Sequence, residues 1–211
     1  MPTPSERPYR SAIRQRQADE TRQRIAAAAR RLFGSAGFEG TTIDAIAREA
    51  EVAPQTVYAV FRTKRGILAD LLERAAFGPV YEELVRKVME TADPVERLRF
   101  ASRIARQVYE ARSAELEQLR GAGIVSPELA ALERNEECGR YESQAALVAS
   151  LADAGRLRPD LNVTAARDAL WALTGHDLYR MLVQERGWTP DRYETWLADQ
   201  IATALLAPAG A

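Results

Sequence analysis

Apolar residues recur at intervals of three and four through nearly every segment between turn signals. No run of four to eight residues shows the β-branched alternation of a strand. This periodicity predicts an all-α chain of about nine or ten helices. At 211 residues and 46% hydrophobic content the chain can bury one good-sized core or two small ones. No apolar run approaches the ~18 residues of a membrane span, and the basic N-terminus is not followed by the apolar stretch of a signal peptide. A cytoplasmic protein with no membrane partner is expected. The single cysteine, Cys138, has no internal disulfide partner, and with the single histidine, His176, it cannot by itself make a four-ligand zinc site. Phosphate-loop, dinucleotide and nucleophile-elbow patterns are missing, so neither enzyme activity nor a metal or cofactor is expected.

The formal net charge of −1 conceals a division. Residues 1–66 carry twelve Lys and Arg against seven acids, net +5, and the remainder carries 17 against 23, net −6. A basic segment is drawn to phosphates through counterion release, while an acidic one is repelled by them. Solvated faces can also be unequal by chance, so charge alone leaves the partner open.

The turn signals place the elements. A polar, Arg-rich arm, residues 1–18 with Arg7, Arg10, Arg14 and Arg16, reads as flexible and could follow a DNA backbone or enter a minor groove. A first helix spans about Asp19 to Ala36, with Ile25, Ala28, Ala29, Leu32 and Phe33 on one face, and stops at Gly34 and Gly37. Thr41 or Thr42 caps a second, short helix to about Ala50, Thr41 and Asp44 matching a loose capping box. Pro54 opens a third, and Thr63 caps a fourth that leads out of the head. Helices follow over 80–90, 94–112 and 113–120, then one from the Ser126–Pro127 cap to Gly155. The last two, Val163 to Gln184 and the helix capped at Thr189–Pro190, are the most apolar; Trp188 and Tyr193 stand at the positions of a hydrophobic staple.

Residues Thr42 through Tyr58 have the spacing of a helix-turn-helix. Small Ala47 permits a close crossing that Ile46, Val52 and Val57 fill, leaving Gln55, Thr56 and Tyr58 outward. Such a helix suits the major groove, where Gln can read adenine and Thr can meet a phosphate or a thymine methyl. Lys64 at the next helix start is read as a phosphate contact. A purely structural helical hairpin would show the same short pattern.

The longer pattern over residues 21–68 includes Ile25, Ala29, Leu32-Phe33, Gly37-Phe38, Thr41-Thr42, Ile46-Ala47, Ala50, Val52, Thr56-Val57-Tyr58, Phe61, Lys64 and Leu68. It resembles the DNA-binding head of TetR-family transcriptional regulators. The resemblance implies a helix-turn-helix domain at 19–66 and an all-helical ligand-binding and dimerisation domain at 67–211. It places DNA contacts at Thr42, Pro54, Gln55, Thr56, Tyr58 and Lys64. The chain departs from the family pattern at Glu51, where glycine is usual, at Ala53, where a Ser-type cap is usual, and at Val60, where an aromatic residue or His is common. A left-handed conformation at Glu51 would cost a non-glycine residue ~1 kcal/mol.

The implied activity is a repressor released from double-stranded operator DNA by a small apolar or amphipathic effector. Two copies placing recognition helices ~34 Å apart would read a near-palindromic operator. Leu170, Leu178, Tyr193, Leu197 and Ile201 on the last two helices are the expected homodimer seam, although the same stripe could be intramolecular core. Phe100, Tyr109, Tyr141, Trp171 and His176 are candidates for lining the effector cavity the resemblance implies; each also suits a packed core. A helical ligand-binding or interaction module without specific DNA binding is the alternative.

Overall fold

The computed structural model describes residues 6–123 and 127–208. Among them are α1 (Glu6–Gly40), α2 (Ile43–Glu49), α3 (Pro54–Phe61), α4 (Lys64–Ala76), α5 (Pro79–Glu90) and α6 (Pro94–Gly123). These are followed by α7 (Pro127–Ser143), α8 (Ala145–Asp153), α9 (Val163–Leu173), α10 (His176–Tyr179), a π-helical segment (Arg180–Glu185) and α11 (Pro190–Leu205). The described residues contain no strand beyond an isolated antiparallel bridge between Leu157 and Leu206. The Ser126 cap lies outside the described residues.

Two compact units divide the chain: residues 1–73 with 114–130, and 74–113 with 131–211. The sequence boundary at 66 therefore falls inside the first unit. Ile67, Leu68, Leu71 and Leu72 of α4 are buried there, alongside Ile25, Ala28, Ala29 and Phe33 of α1, Ile46 and Ala47 of α2, and Val57 and Phe61 of α3. Each large member contributes about 1.5–3 kcal/mol by leaving water.

Local chemistry explains most element ends. Gly37, at φ 72°, breaks α1 in a conformation costly for other residues. The Thr42 side chain accepts from the Ala45 amide at 3.1 Å and caps α2. Thr41 has another role: its hydroxyl donates to the Gly37 carbonyl, 2.8 Å away, so the Thr41–Asp44 capping box does not form. Thr63 accepts from the Gly66 amide at 3.0 Å. A β-carbon on Gly66 would stand 2.3 Å from the Phe61 carbonyl oxygen, which restricts that position to glycine.

Four boundaries depart from the sequence reading. Residues 6–18, read as a flexible arm, are the start of α1. Arg, Gln and Ala favour a helix without needing a buried face, and Gln15 donates to Asp19 one turn on. The helices expected over 94–112 and 113–120 are one element, α6. Conversely, the expected 126–155 helix divides at Gln144, and the expected 163–184 helix divides at Thr174–Gly175 and passes into the π-helical segment.

In the second unit α11 packs against α9, and α9 against α8. Thr189 caps α11 by accepting from the Arg192 amide. Trp188 meets the ring of Trp196 edge-on, 5.9 Å between centroids, so the residue expected to staple against Tyr193 packs one turn further along.

Candidate nucleic-acid interface and effector site

The helix-turn-helix is built as its spacing requires. Ala47 is almost wholly buried at the α2–α3 crossing, and Val57 and Phe61 turn inward from α3. The turn reverses through Glu51, whose φ of 54° is the left-handed conformation anticipated at that position. Ala53 precedes α3 without a side-chain cap, and Pro54 occupies the first turn, where its missing amide hydrogen leaves no donor unpaired.

The outward residues then follow from helical geometry. Gln55 is exposed and Tyr58 is 53% exposed, an unusual state for a large aromatic residue. Thr56 and Pro54 are half-buried beside them. Thr42 is exposed at the start of α2, and because its oxygen only accepts from the helix, its hydroxyl hydrogen remains available as a donor. Arg48, Arg62 and Arg65 add exposed positive charge within the same unit. Sequence reasoning passed over these three because a lone exposed arginine has no distinguishing spacing.

Lys64 differs from its sequence reading. Its ammonium donates to the carbonyl oxygens of Phe38 at 2.6 Å and Thr41 at 2.9 Å, and it lies 4.3 Å from the centroid of the Phe38 ring. Two of its three donors hold the α1–α2 connection, so Lys64 is first a structural tether. A second tether is the Arg22–Asp70 pair. Arg22 donates from Nε and Nη2 to one carboxylate oxygen of buried Asp70, at 2.9 and 2.6 Å, and stacks on Phe61. A third joins Arg30 to buried Glu115 at 2.5 Å.

In the second unit the expected seam residues have another function. Leu170, Tyr193, Leu197 and Ile201 are at most 1% exposed within a single chain, so a second copy cannot reach them without unfolding the unit. Their stripe faces the chain's own core; of the five, only Leu178 is half-buried.

Four of the five proposed effector residues are drawn together. Tyr109 is buried, donates to the Thr174 carbonyl at 2.6 Å and lies 5.2 Å from the His176 ring. Burial pushes its phenol up to about 12, against a smaller opposing effect of Arg140. Tyr141 meets Trp171 edge-on at 6.4 Å and donates to Asp168. Arg140 connects the two groups: it stacks on Trp171 and donates to the Trp171 carbonyl and the Thr174 hydroxyl oxygen. Phe100 stands apart, beneath the Arg103 guanidinium. Cys138 is exposed and forms no disulfide among the described residues.

The fold and the helix-turn-helix define a helical DNA-binding transcriptional regulator. Residues 25–71 match the model of the bacterial regulatory proteins of the tetR family. Over this segment the chain is similar to the TetR family. It is 24% identical over 166 residues to the HTH-type transcriptional regulator UidR of Escherichia coli K12, covering 76% of this chain and 81% of that protein. Its fold matches NalD of Pseudomonas aeruginosa, the secondary repressor of the MexAB-OprM multidrug efflux pump, with a TM-score of 0.73 and 26% identity over 92% of this chain and 100% of NalD. It also matches a transcriptional regulator from Saccharomonospora viridis solved with choline, with a TM-score of 0.68 and 23% identity over 90% and 99% of the two chains. Among the described residues no helix is long and apolar enough to cross a membrane.

Proposed function

We propose that the protein is a cytoplasmic repressor that binds a near-palindromic operator as a homodimer and leaves it when a small apolar or amphipathic molecule occupies the second unit. The outward face of α3 carries this reading. Gln55 and exposed Tyr58 project from a helix whose opposite face is locked into the core by Val57 and Phe61. Gln55 reads a base edge, Thr56 and Tyr58 flank it, Thr42 and Pro54 approach the backbone at the helix starts, and the charge of Lys64 supports phosphate attraction while tethering the head. The homodimer uses faces other than the buried Leu170, Tyr193, Leu197 and Ile201.

Tyr109, Tyr141, Trp171 and His176 are proposed to surround the effector. The choline complex of the Saccharomonospora viridis regulator is a precedent for a small molecule in this fold. An effector that fits only the conformation with the two heads misplaced draws the population away from DNA.

Selection of bound sites from random duplexes, followed by a salt series, tests the reading. A defined two-fold site whose affinity falls steeply with salt is expected, with Tyr58→Ala losing affinity and Gln55→Ala relaxing one base position by about 1–3 kcal/mol. Weak, sequence-independent binding would instead favour a helical ligand-binding module.

A further inference from the structure

The second unit contains a buried polar cluster whose hydrogen-bonding capacity is only partly used. Arg112 on α6 and Arg140 on α7 have side chains only 10% and 20% exposed. Tyr109, one turn before Arg112 on α6, donates to the Thr174 carbonyl, and Arg140 donates to the Thr174 hydroxyl oxygen, which places the two arginines about one residue, Thr174. Around them, Arg112 Nε, Arg140 Nε, Trp171 Nε1, Gln144 Oε1 and the Tyr193 hydroxyl are all buried with no hydrogen-bond partner. Native interiors leave few such atoms unmatched, and a concentration of them points to a missing polar occupant.

The chemistry of the unmatched atoms indicates what that occupant is. Both Nε atoms and the indole nitrogen are pure donors, the phenol can donate, and Gln144 Oε1 alone must accept. Their complement is rich in acceptor oxygens. Each arginine is already paired, Arg112 with Glu136 and Arg140 with Glu137, but those glutamates are 38% and 39% exposed. A glutamate can swing into solvent at small cost, whereas its arginine stays buried and seeks another anion. Aromatic rings complete the surroundings, with Trp171 stacked against Arg140 and Tyr141 edge-on to Trp171.

We propose that this cluster binds the carboxylate of an aromatic or amphipathic acid, which displaces Glu137 and Glu136 from the buried guanidinium groups of Arg140 and Arg112. The inference rests on the reading that the second unit takes an effector, and it names the class of that effector. Arg140 and Arg112 hold the anion, while Trp171 and Tyr141 hold the body of the acid. Displacement of two glutamates of α7 is the change the ligand imposes on the unit.

The test uses the full-length protein and matched probes: benzoate, phenylacetate, 2-naphthoate and decanoate, each with its alcohol and trimethylammonium counterpart. Binding is read by tryptophan fluorescence and thermal shift. At least one carboxylate is expected to bind ten-fold or more tightly than both counterparts. Arg140→Gln should weaken that binding ten-fold or more, with folding checked by circular dichroism. Glu137→Gln leaves Arg140 without its internal anion and should tighten it, a direction that damage to the fold would not produce. Equal binding of all three head types, preference for the cation, no carboxylate binding, or a Glu137→Gln variant that does not bind more tightly would each overturn the proposal; the cluster would then hold ordered water. Release of selected duplex DNA is measured separately. Carboxylate binding that leaves DNA affinity unchanged supports the site and overturns the effector reading, while release only by cations or alcohols supports the effector reading and overturns the site.

Discussion

The ammonium of Lys64 lies 2.6 Å from the carbonyl oxygen of Phe38 and 4.3 Å from the centre of the same residue's ring. One side chain thereby ties the start of α4 to the segment after the Gly37 break, before any DNA is present. Lys64→Ala leaves the Phe38 and Thr41 carbonyls without this donor and should cost about 2–3 kcal/mol of stability in urea denaturation. Loss of operator affinity with unchanged stability would instead assign Lys64 to phosphate alone.

Glu51 adopts a φ of 54° in the turn between α2 and α3, a conformation glycine accepts without a β-carbon penalty. Glu51→Gly should stabilise the protein by about 1 kcal/mol in chemical denaturation. Because the turn already has the required shape, operator affinity at fixed salt should change little. A destabilised variant would show that the Glu51 side chain contributes more than its backbone costs.

Leu197 is fully buried within its own chain. Leu197→Ala should lower stability by about 2–5 kcal/mol, since it leaves a cavity in a packed site. Leu197→Asp should unfold the second unit, seen as loss of helical circular dichroism. A folded Leu197→Asp monomer in sedimentation would return the residue to a subunit seam.

Tyr109 links stability to alkaline pH. Burial pushes its folded pKa up to about 12 from the ordinary phenol value of 10.0, so the folded state retains the phenolic proton longer than the unfolded chain. Its contribution is complete below about pH 10 and is lost as pH rises towards 12. Tyr109→Phe should lose about 1 kcal/mol at neutral pH with its hydrogen bond to Thr174, and should show a smaller decline above pH 10. An unchanged alkaline slope in paired denaturation series would show that other groups govern it.

Much of the first unit was legible in order along the chain. Ile25, Ala29 and Phe33 announce one face of α1, Ala47 and Val57 announce the crossing, and Gly37 announces the break, because each depends on neighbours within a turn or two. Helix formation over residues 6–18 was missed because it rests on propensity, without an apolar face to reveal it. The roles of Lys64 and Arg22 were also hidden: their partners lie 26 and 48 residues away, and polar side chains carry no periodic signature for such pairings.

The division is sharpest in the second unit. Periodicity correctly marks Leu170, Tyr193, Leu197 and Ile201 as residues that must leave water, but hydrophobicity has no direction and cannot say whether the covering surface is the same chain or another. Packing of α11 on α9 decides for the same chain. Arg112 and Arg140 are read along the sequence as ordinary charges, and only tertiary packing buries them, Arg112 against Glu136 and Arg140 against Trp171 and Thr174. The all-helical class and the helix-turn-helix are readable along the chain, since both arise from interactions a few residues apart. Tertiary structure decided which stripe is core, which lysine is a tether and which arginines face inward, since burial and charge pairing depend on segments distant in the chain.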